Sequence, residues 1–167
     1  GSKNVNGVKT CALPILQPSR QEVETAFITS VNLILKDGGK VLIPIPAVGR
    51  AQELMMVIDK YMKSGELTEA PVFMEGMIQE ATSIHESFPE YLVRELKQKI
   101  LETDDNPFDS EYFTNVEHPN DRDEPLREGA PCIIIATSGM LEGGPVLDYF
   151  RNIAPHKQNK ILFVSYQ

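Results

Sequence analysis

The sequence predicts an α/β fold: a three-layer sandwich in which a mainly parallel sheet of about four strands is flanked by helices on both faces. Short apolar runs of strand length alternate along the chain with longer stretches of helical periodicity, which is the order that a parallel sheet with crossover helices requires. The 167 residues include 41% hydrophobic and 24% charged side chains, a length and composition sufficient for one buried core.

The first half of the chain contains two predicted helix–strand units. Ser19 and Glu22 have capping-box spacing, and the apolar stripe after them predicts a helix that stops at Gly38-Gly39. The apolar run Lys40–Pro46 predicts a buried strand. Pro44 favours an edge position for that strand, because proline cannot donate to a neighbouring strand. The next predicted elements are a helix from Gly49-Arg50 to Ser64-Gly65 and a strand at Pro71–Glu75.

The second half combines helices and strands with a long polar excursion. Met77 to about Ser87 and Pro89–Leu101 are predicted helices. Residues 103–130 predict a partly ordered excursion, and we interpret their acidic run at 121–124 as a solvated face. The remaining predicted elements are a short strand at Phe113–Val116, a strand at Cys132–Thr137, a helix from Pro145 to about Ile153 and a strand at Lys160–Tyr166.

Parallel strands bring their carboxyl ends to one edge of the sheet, where ligands bind in folds of this type. Gly143-Gly144-Pro145 precedes a predicted helix, whose free N–H groups and dipole would favour a phosphate. Arg50 begins another helix at the same edge, and a guanidinium suits phosphate recognition. The segments predicted to meet at this edge are 46–50, 75–77, 138–144 and 166–167.

The same features also have purely structural interpretations. Glycines after strands usually form tight turns, and Arg50 has a carboxylate at helical spacing in Glu53. Ser138 is not a nucleophile elbow, because Ala136 and Met140 occupy the positions that need glycine. The residues by themselves therefore predict an α/β domain with a candidate anion-binding edge and no catalytic residue.

Composition argues against several classes of function. A net charge of −8 argues against a stand-alone nucleic-acid binder, which needs clustered lysine and arginine. No apolar stretch has the length of a membrane span. Cys11 and Cys132 are far apart and have no metal-type spacing, which favours a reducing, cytoplasmic location. His85, His118 and His156 form no paired metal motif, so we expect no metal ligand or cofactor in this chain.

Several short motifs follow one another in a characteristic order. They are Gly38–Pro44, Ala47–Glu53, Met74–Ile78, Glu80–Thr82, Tyr91-Leu92, Asn106–Phe108, Ala136–Pro145 and the closing Phe163–Gln167. Together they resemble the β-CASP region of archaeal CPSF-type ribonucleases of the metallo-β-lactamase class, over about residues 18–167.

That resemblance implies a function and a set of partners. Enzymes of this family bind two zinc ions in a metallo-β-lactamase domain and cleave RNA, and the β-CASP domain caps that site. The implied role is RNA positioning in a zinc-dependent endonuclease or 5′–3′ exonuclease that acts in RNA 3′-end processing, transcription termination or decay. The implied partners are RNA, the metallo-β-lactamase domain of the parent chain, KH domains and a homodimer partner, with no membrane.

The family's histidine-rich zinc motif is missing, and the histidine motifs that follow Tyr166-Gln167 in the family lie beyond the end. We therefore expect residues 18–167 to be an isolated, C-terminally truncated β-CASP domain that holds no zinc and does not cut RNA. Residues 1–17 are predicted to be a tag with a non-native or disordered leader. The predicted RNA- or phosphate-binding residues are Arg50, Ser138, Gly139, Met140, Gly143 and Gly144, and Glu75 and Tyr166 are predicted to lie at an interdomain edge.

Two other interpretations stay open. The chain could be a non-enzymatic α/β module that packs against a partner and contacts no RNA; an Arg50→Ala change in the full-length enzyme would then lower stability and leave RNA cleavage intact. It could also be a small-anion- or nucleotide-binding α/β domain, in which case mononucleotides would bind tightly and saturably.

Overall fold

The computed structural model describes residues 2–5, 8–11, 19–87, 102 and 105–164. Within them the four helices are α1 (Arg20–Lys36), α2 (Arg50–Lys63), α3 (Ile78–Ser87) and α4 (Val146–Ile153). The strands are β1 (Ser2–Val5), β2 (Val8–Cys11), β3 (Val41–Pro44), β4 (Val72–Glu75), β5 (Phe113–Asn115), β6 (Ile133–Ala136) and β7 (Lys160–Val164). Two 3₁₀ turns lie at Pro107–Asp109 and Pro119–Asp123.

The strands form one seven-stranded sheet in the order β1-β2-β7-β3-β6-β4-β5. Every neighbouring pair is parallel except β1 with β2, which is antiparallel. The predicted α/β fold with a mainly parallel sheet is therefore confirmed. The sheet has more strands than the predicted number, partly because β1 and β2 lie within the leader that we predicted to be non-native or disordered; the origin of the leader stays a prediction.

Alternate side chains of the central strands pack into two separate cores, as the two-residue period of a strand requires. The larger core lies between the sheet and helices α1, α2 and α3, and the smaller core lies under α4. Strand β3 illustrates the division, because Val41 and Ile43 belong to the larger core and Leu42 to the smaller one. Each fully buried aliphatic side chain contributes about 1.5–3 kcal/mol to folding.

Local sequence signals set the ends of α1. The Ser19 hydroxyl accepts from the Glu22 amide at 3.2 Å, and the Glu22 carboxylate accepts from the Ser19 amide at 3.2 Å, so the predicted capping box is confirmed. At the other end, Gly38 has a φ of +77°, a conformation that glycine adopts without a Cβ penalty. The chain thus leaves the helix where the glycine pair predicts.

Strand β3 is central, so the edge position that Pro44 favoured is wrong. The amides of Val41 and Ile45 donate to β6, at 3.0 Å to the carbonyls of Cys132 and Ala136. By alternation, the ring nitrogen of Pro44 faces β7, where strand pairing extends only as far as Leu42. The missing proton therefore costs no hydrogen bond, and the proline is tolerated at the last residue of a central strand.

Some predictions fall outside the described residues. The helix predicted at Pro89–Leu101 lies there, as does Tyr166. The other predicted helices and strands are present with ends shifted by one or two residues. Among the described residues no helix is long and apolar enough to cross a membrane.

Candidate functional site

Three loops meet at the carboxyl edge of the central strands, as the parallel sheet predicts. We call residues 137–145, which follow β6, the glycine loop. A Cβ added to Gly139 would lie 2.7 Å from Cδ of Pro46, which follows β3. A Cβ on Gly76, which follows β4 with a φ of +106°, would collide with the Thr137 hydroxyl. Glycine is thus needed at both positions because the loops touch.

The glycine loop folds back on itself and leads directly into α4. The Ser138 amide donates to the Gly143 carbonyl at 3.2 Å, and the Val146 amide donates to the Thr137 carbonyl at 2.9 Å. Gly144 has a φ of +81°, and a Cβ there would lie 2.9 Å from the same Thr137 carbonyl oxygen. The loop is therefore a compact turn whose shape depends on glycine.

The donors available at this edge differ from those predicted. The first amides of α4 are not free, because those of Val146, Leu147 and Asp148 donate to carbonyl oxygens inside the turn. The predicted phosphate site therefore has no free amide at these three positions, and phosphate binding by Gly143 and Gly144 stays a prediction. Within the part of the chain that the structure describes, the amides of Gly139 and Met140 donate to no acceptor.

The Ser138 hydroxyl is the unusual group of the loop. Its Oγ is buried and makes no hydrogen bond with any residue that the structure describes. An unpaired buried hydroxyl costs about 1–3 kcal/mol, so such groups are uncommon and call for a reason. The sequence-predicted residues Ser138, Gly139 and Met140 are thus brought together with unused hydrogen-bonding capacity.

Arg50 lies at the start of α2, on the loop side of β3. Its guanidinium Nη1 is 3.4 Å from Glu53 Oε2, and both side chains are half-exposed. An exposed pair of this length contributes little to stability, and the half-exposed guanidinium remains accessible from solvent. The carboxylate partner that we left open for Arg50 is therefore present.

Gln52 fixes the loop that precedes Arg50, and sequence reasoning missed this role. The side chain is 3% exposed. Its Oε1 accepts from the Gly49 amide at 2.7 Å, and its Nε2 donates to the Ala47 carbonyl at 2.9 Å and to the Thr82 hydroxyl at 3.0 Å. Every polar atom of the carboxamide is used to fix the loop before α2. A glutamine next to charged residues gives no signal of burial, so only the packed structure reveals this role.

Three large apolar side chains are exposed on these same loops. Val48, Met77 and Met140 are 70%, 69% and 77% exposed. They follow β3, β4 and β6, which are neighbours in the sheet, so the three strand ends lie within about 10 Å. We call these three residues the apolar rim. A local concentration of exposed apolar side chains is typical of a surface that contacts a partner.

A charged cluster lies beneath the edge, on the α4 face of the sheet. The Arg122 guanidinium binds Glu75 through Nε at 2.9 and 3.0 Å and through Nη2 at 2.5 Å, and its Nη1 lies 2.8 Å from Asp148. The Tyr149 hydroxyl donates to Glu75 at 2.5 Å. Glu75 is 8% exposed, so its carboxylate is engaged inside the domain, and its predicted place at an interdomain edge stays a prediction.

The interpretation of residues 121–124 as a solvated face holds for the acidic side chains of Asp121, Asp123 and Glu124, which are exposed, and is wrong for Arg122. The Arg122 side chain is 18% exposed, although its neighbours Asp121 and Asp123 are exposed. Hydrogen bonding to Glu75 raises the pKa of Arg122. Burial raises the pKa of Tyr149 most, and the hydrogen bond to Glu75 raises it further. One basic residue inside an acidic run gives no sequence signal that it is turned inward.

The residues described here do not form a metal site. No three histidine, cysteine, aspartate or glutamate side chains converge among them. The His118 backbone amide donates to the Asp121 carboxylate at 3.1 Å, at the start of the 3₁₀ turn Pro119–Asp123. The family resemblance implies zinc in the metallo-β-lactamase domain of the parent, and the described residues offer no set of ligands that would hold it here.

Comparison with known proteins decides the family. The Beta-Casp domain model matches residues 51–167. The chain belongs to the β-CASP family. It is 81% identical over 152 residues to the transcription termination factor FttA of Cenarchaeum symbiosum, which covers 91% of this chain and 24% of that protein. The proteins of the same name from Pyrococcus abyssi and Methanocaldococcus jannaschii are 49% and 48% identical, and the match covers 91% and 90% of this chain and 23% and 24% of theirs.

The β-CASP identification confirms the family predicted from the sequence motifs. The chain spans about a quarter of the length of the curated relatives that it matches. These relatives are named as transcription termination factors and are about four times as long as this chain.

Proposed function

We propose that residues 18–167 are the RNA-positioning β-CASP domain of a longer, zinc-dependent ribonuclease that acts in RNA 3′-end processing or transcription termination. The name of the relatives, all transcription termination factors, supports this role. In this proposal a metallo-β-lactamase domain of the parent chain carries two zinc ions and cuts RNA as an endonuclease or 5′–3′ exonuclease. The domain described here binds substrate and is inactive by itself.

The observation that carries the proposal is the buried Ser138 hydroxyl at the carboxyl edge, which has no hydrogen-bond partner among the described residues. Because this Oγ is covered, a phosphate oxygen would satisfy it once the glycine loop shifts to admit the ligand, and the amides of Gly139 and Met140 would contact the same phosphate. Hydrogen bonds to a charged acceptor are the stronger kind. Arg50 would add a guanidinium, and Gly143 would allow the ligand to approach the backbone closely.

The apolar rim supports a second element of the proposal. We propose that Val48, Met77 and Met140 face the metallo-β-lactamase domain of the parent chain, so that RNA runs between the two domains. Interfaces of this kind combine an apolar centre with a polar border, and here the rim lies beside the polar glycine loop. KH domains and a homodimer partner would contact other parts of the parent.

A small-anion or nucleotide site is the second candidate, because the same donors would bind a free phosphate. The two candidates differ in what surrounds the phosphate. RNA binding needs several successive contacts along a strand, whereas a nucleotide needs one enclosed pocket. An open edge formed by three exposed loops therefore favours RNA.

RNA affinity of the 167-residue chain tests the proposal. Gly143→Ala is the sharpest variant, since an added Cβ would meet no atom of the described residues within 4 Å and would occupy the space proposed for the ligand. We expect it to fold normally and to weaken binding of a 5′-phosphorylated oligoribonucleotide by about tenfold. Arg50→Ala should weaken binding in the same assay.

The matched control is Gly129→Ala. Gly129 has a φ of +73° and precedes β6, at the opposite edge of the sheet, so alanine there should lower stability without lowering affinity. Normal RNA binding by Gly143→Ala would refute the proposed site. Tight, saturable binding of mononucleotides, with no further gain from a longer strand, would favour the second candidate.

Metal analysis tests the division of labour between the two domains. After dialysis against zinc we expect the 167-residue chain to hold less than one equivalent and the full-length parent to hold two. Stoichiometric zinc in the short chain, or RNA cleavage by it, would contradict the proposal that the ligands lie elsewhere in the parent.

A further inference from the structure

We propose that Arg122 is a positioning residue of the RNA-binding edge: it cancels the charges of Glu75 and Asp148, which would otherwise repel a phosphate at the glycine loop. The inference rests on the proposed function, because it concerns the same edge. Arg122 contacts no RNA in this proposal and acts only through the two carboxylates.

The two carboxylates flank the candidate site. Glu75 is the last residue of β4 and immediately precedes Gly76, which packs against Thr137 of the glycine loop. The Glu75 carbonyl also accepts from the Thr137 amide at 3.4 Å. Asp148 lies in the first turn of α4, directly after the loop. Charges act on one another with little screening within the Debye length of about 8 Å at physiological salt, and both residues adjoin the glycine loop.

Arg122 is placed to neutralise both carboxylates at once. Its Nε and Nη2 reach Glu75, and its Nη1 reaches Asp148 at 2.8 Å. Its guanidinium also lies 5.7 Å from the centre of the Tyr149 ring. The planar, forked guanidinium bonds both carboxylates at once, whereas a lysine ammonium would supply the positive charge without the paired hydrogen bonds. Arg151 lies 3.5 Å from Asp148 but is mostly exposed, so Arg122 is the better-sheltered counter-charge.

The position of Arg122 in the chain gives the contact a further consequence. It is carried by the 3₁₀ turn Pro119–Asp123 within the long polar excursion, and not by the sheet or a helix. Asp121 closes that turn by accepting from the His118 amide. The charge at the edge therefore depends on the excursion being docked, so that one side chain couples a surface segment to the binding loop.

Affinity for RNA over a range of salt concentrations tests the inference. Arg122→Gln leaves Glu75 and Asp148 without this counter-charge, and we expect the affinity of the 167-residue chain for a 5′-phosphorylated oligoribonucleotide to fall about tenfold at low salt. Asp148→Asn removes one half-exposed carboxylate and should raise the affinity about threefold. Both effects should shrink as salt is added, because screening weakens them.

Two further variants separate charge from architecture. Asp123→Asn removes the same charge from an exposed residue of the same turn, outside the cluster, and should change affinity much less than Asp148→Asn. Arg122→Lys keeps the positive charge and loses the forked guanidinium. Its RNA affinity should therefore be well above that of Arg122→Gln, and its melting temperature should stay below that of the unmodified chain.

Each outcome decides the question. Unchanged affinity of Arg122→Gln, or equal effects of Asp148→Asn and Asp123→Asn, would overturn the inference. A loss that does not vary with salt and is not restored by Arg122→Lys would show a purely structural role and overturn it too. If Arg122→Gln does not fold, the two aspartate variants decide by themselves. Failure of the proposed function looks different: the unmodified chain binds no RNA, or Gly143→Ala binds normally.

Discussion

Replacing Ser138 by alanine separates ligand binding from folding, because its hydroxyl is buried and unpartnered among the described residues. Most buried hydroxyls stabilise a protein through a hydrogen bond, and their removal costs about 1 kcal/mol. Here no such bond is lost. We expect the free energy of unfolding of Ser138→Ala to be unchanged or to rise by up to about 1 kcal/mol, which is about 2–4 °C in melting temperature for a domain of this size.

The effect on RNA binding should have the opposite sign. A hydrogen bond to a charged acceptor contributes about 1.5–3 kcal/mol. If Ser138 donates one to a phosphate, its loss weakens affinity by roughly 10- to 150-fold. Fluorescence anisotropy with a 5′-phosphorylated oligoribonucleotide measures the affinity, and urea unfolding of the same sample measures the stability.

Ser83→Ala is the matched control. Its hydroxyl is exposed on α3 and donates to the Gln79 carbonyl at 3.0 Å, so its loss should change neither affinity nor stability appreciably. A drop of more than about 1 kcal/mol in the unfolding free energy of Ser138→Ala would show that the hydroxyl has a partner inside the domain. Full RNA affinity in the same variant would refute the assignment of Ser138 to the binding edge.

Three further predictions concern hydrogen-bonded polar side chains, of which Gln52 and Tyr149 are buried and Tyr61 is partly buried. Gln52→Ala should lower the free energy of unfolding by about 2–4 kcal/mol in urea, since it strands buried donors and acceptors; a loss no larger than that of the exposed Gln79→Ala would contradict this. Tyr149→Phe should cost about 1.5–3 kcal/mol, because the bond to the buried Glu75 carboxylate disappears, and an unchanged melting temperature would argue against that bond. The hydrogen bond to the Glu24 carboxylate raises the pKa of Tyr61 to about 12. The stabilisation from this bond is therefore complete below about pH 10 and is lost as pH rises towards 12. The free energy of unfolding of Tyr61→Phe should depend less on alkaline pH than that of the unmodified chain, and an identical pH profile would exclude the effect.

The layered fold was predictable because each element carries its own local signal. The capping box before α1, the glycine pair after it, and apolar runs such as Ile133–Ala136 all follow from properties of neighbouring residues. Pro44 shows the limit of such signals. A proline predicts an edge strand only on average, and whether its missing proton matters depends on how far the next strand extends beside it.

The candidate site was predictable in outline and not in its chemistry. Parallel strands brought the predicted loops to one edge, which placed Gly139 against Pro46. The donors were predicted less well, since the first amides of α4 are used within the turn and the free capacity lies in Ser138. Whether a backbone amide has an acceptor depends on the conformation of the whole loop, which a short sequence motif does not predict.

By itself the sequence determined the order of helices and strands, the family, and the residues that the edge would contain, because all of these depend on contacts between near neighbours or on motifs read along the chain. The tertiary structure decided which polar groups are paired. Arg122, Gln52 and Glu75 look like ordinary surface residues in the sequence, yet each is largely shielded and engaged by residues far away in the chain. Electrostatic and hydrogen-bond energies depend on distance in space and on burial, and folding sets both.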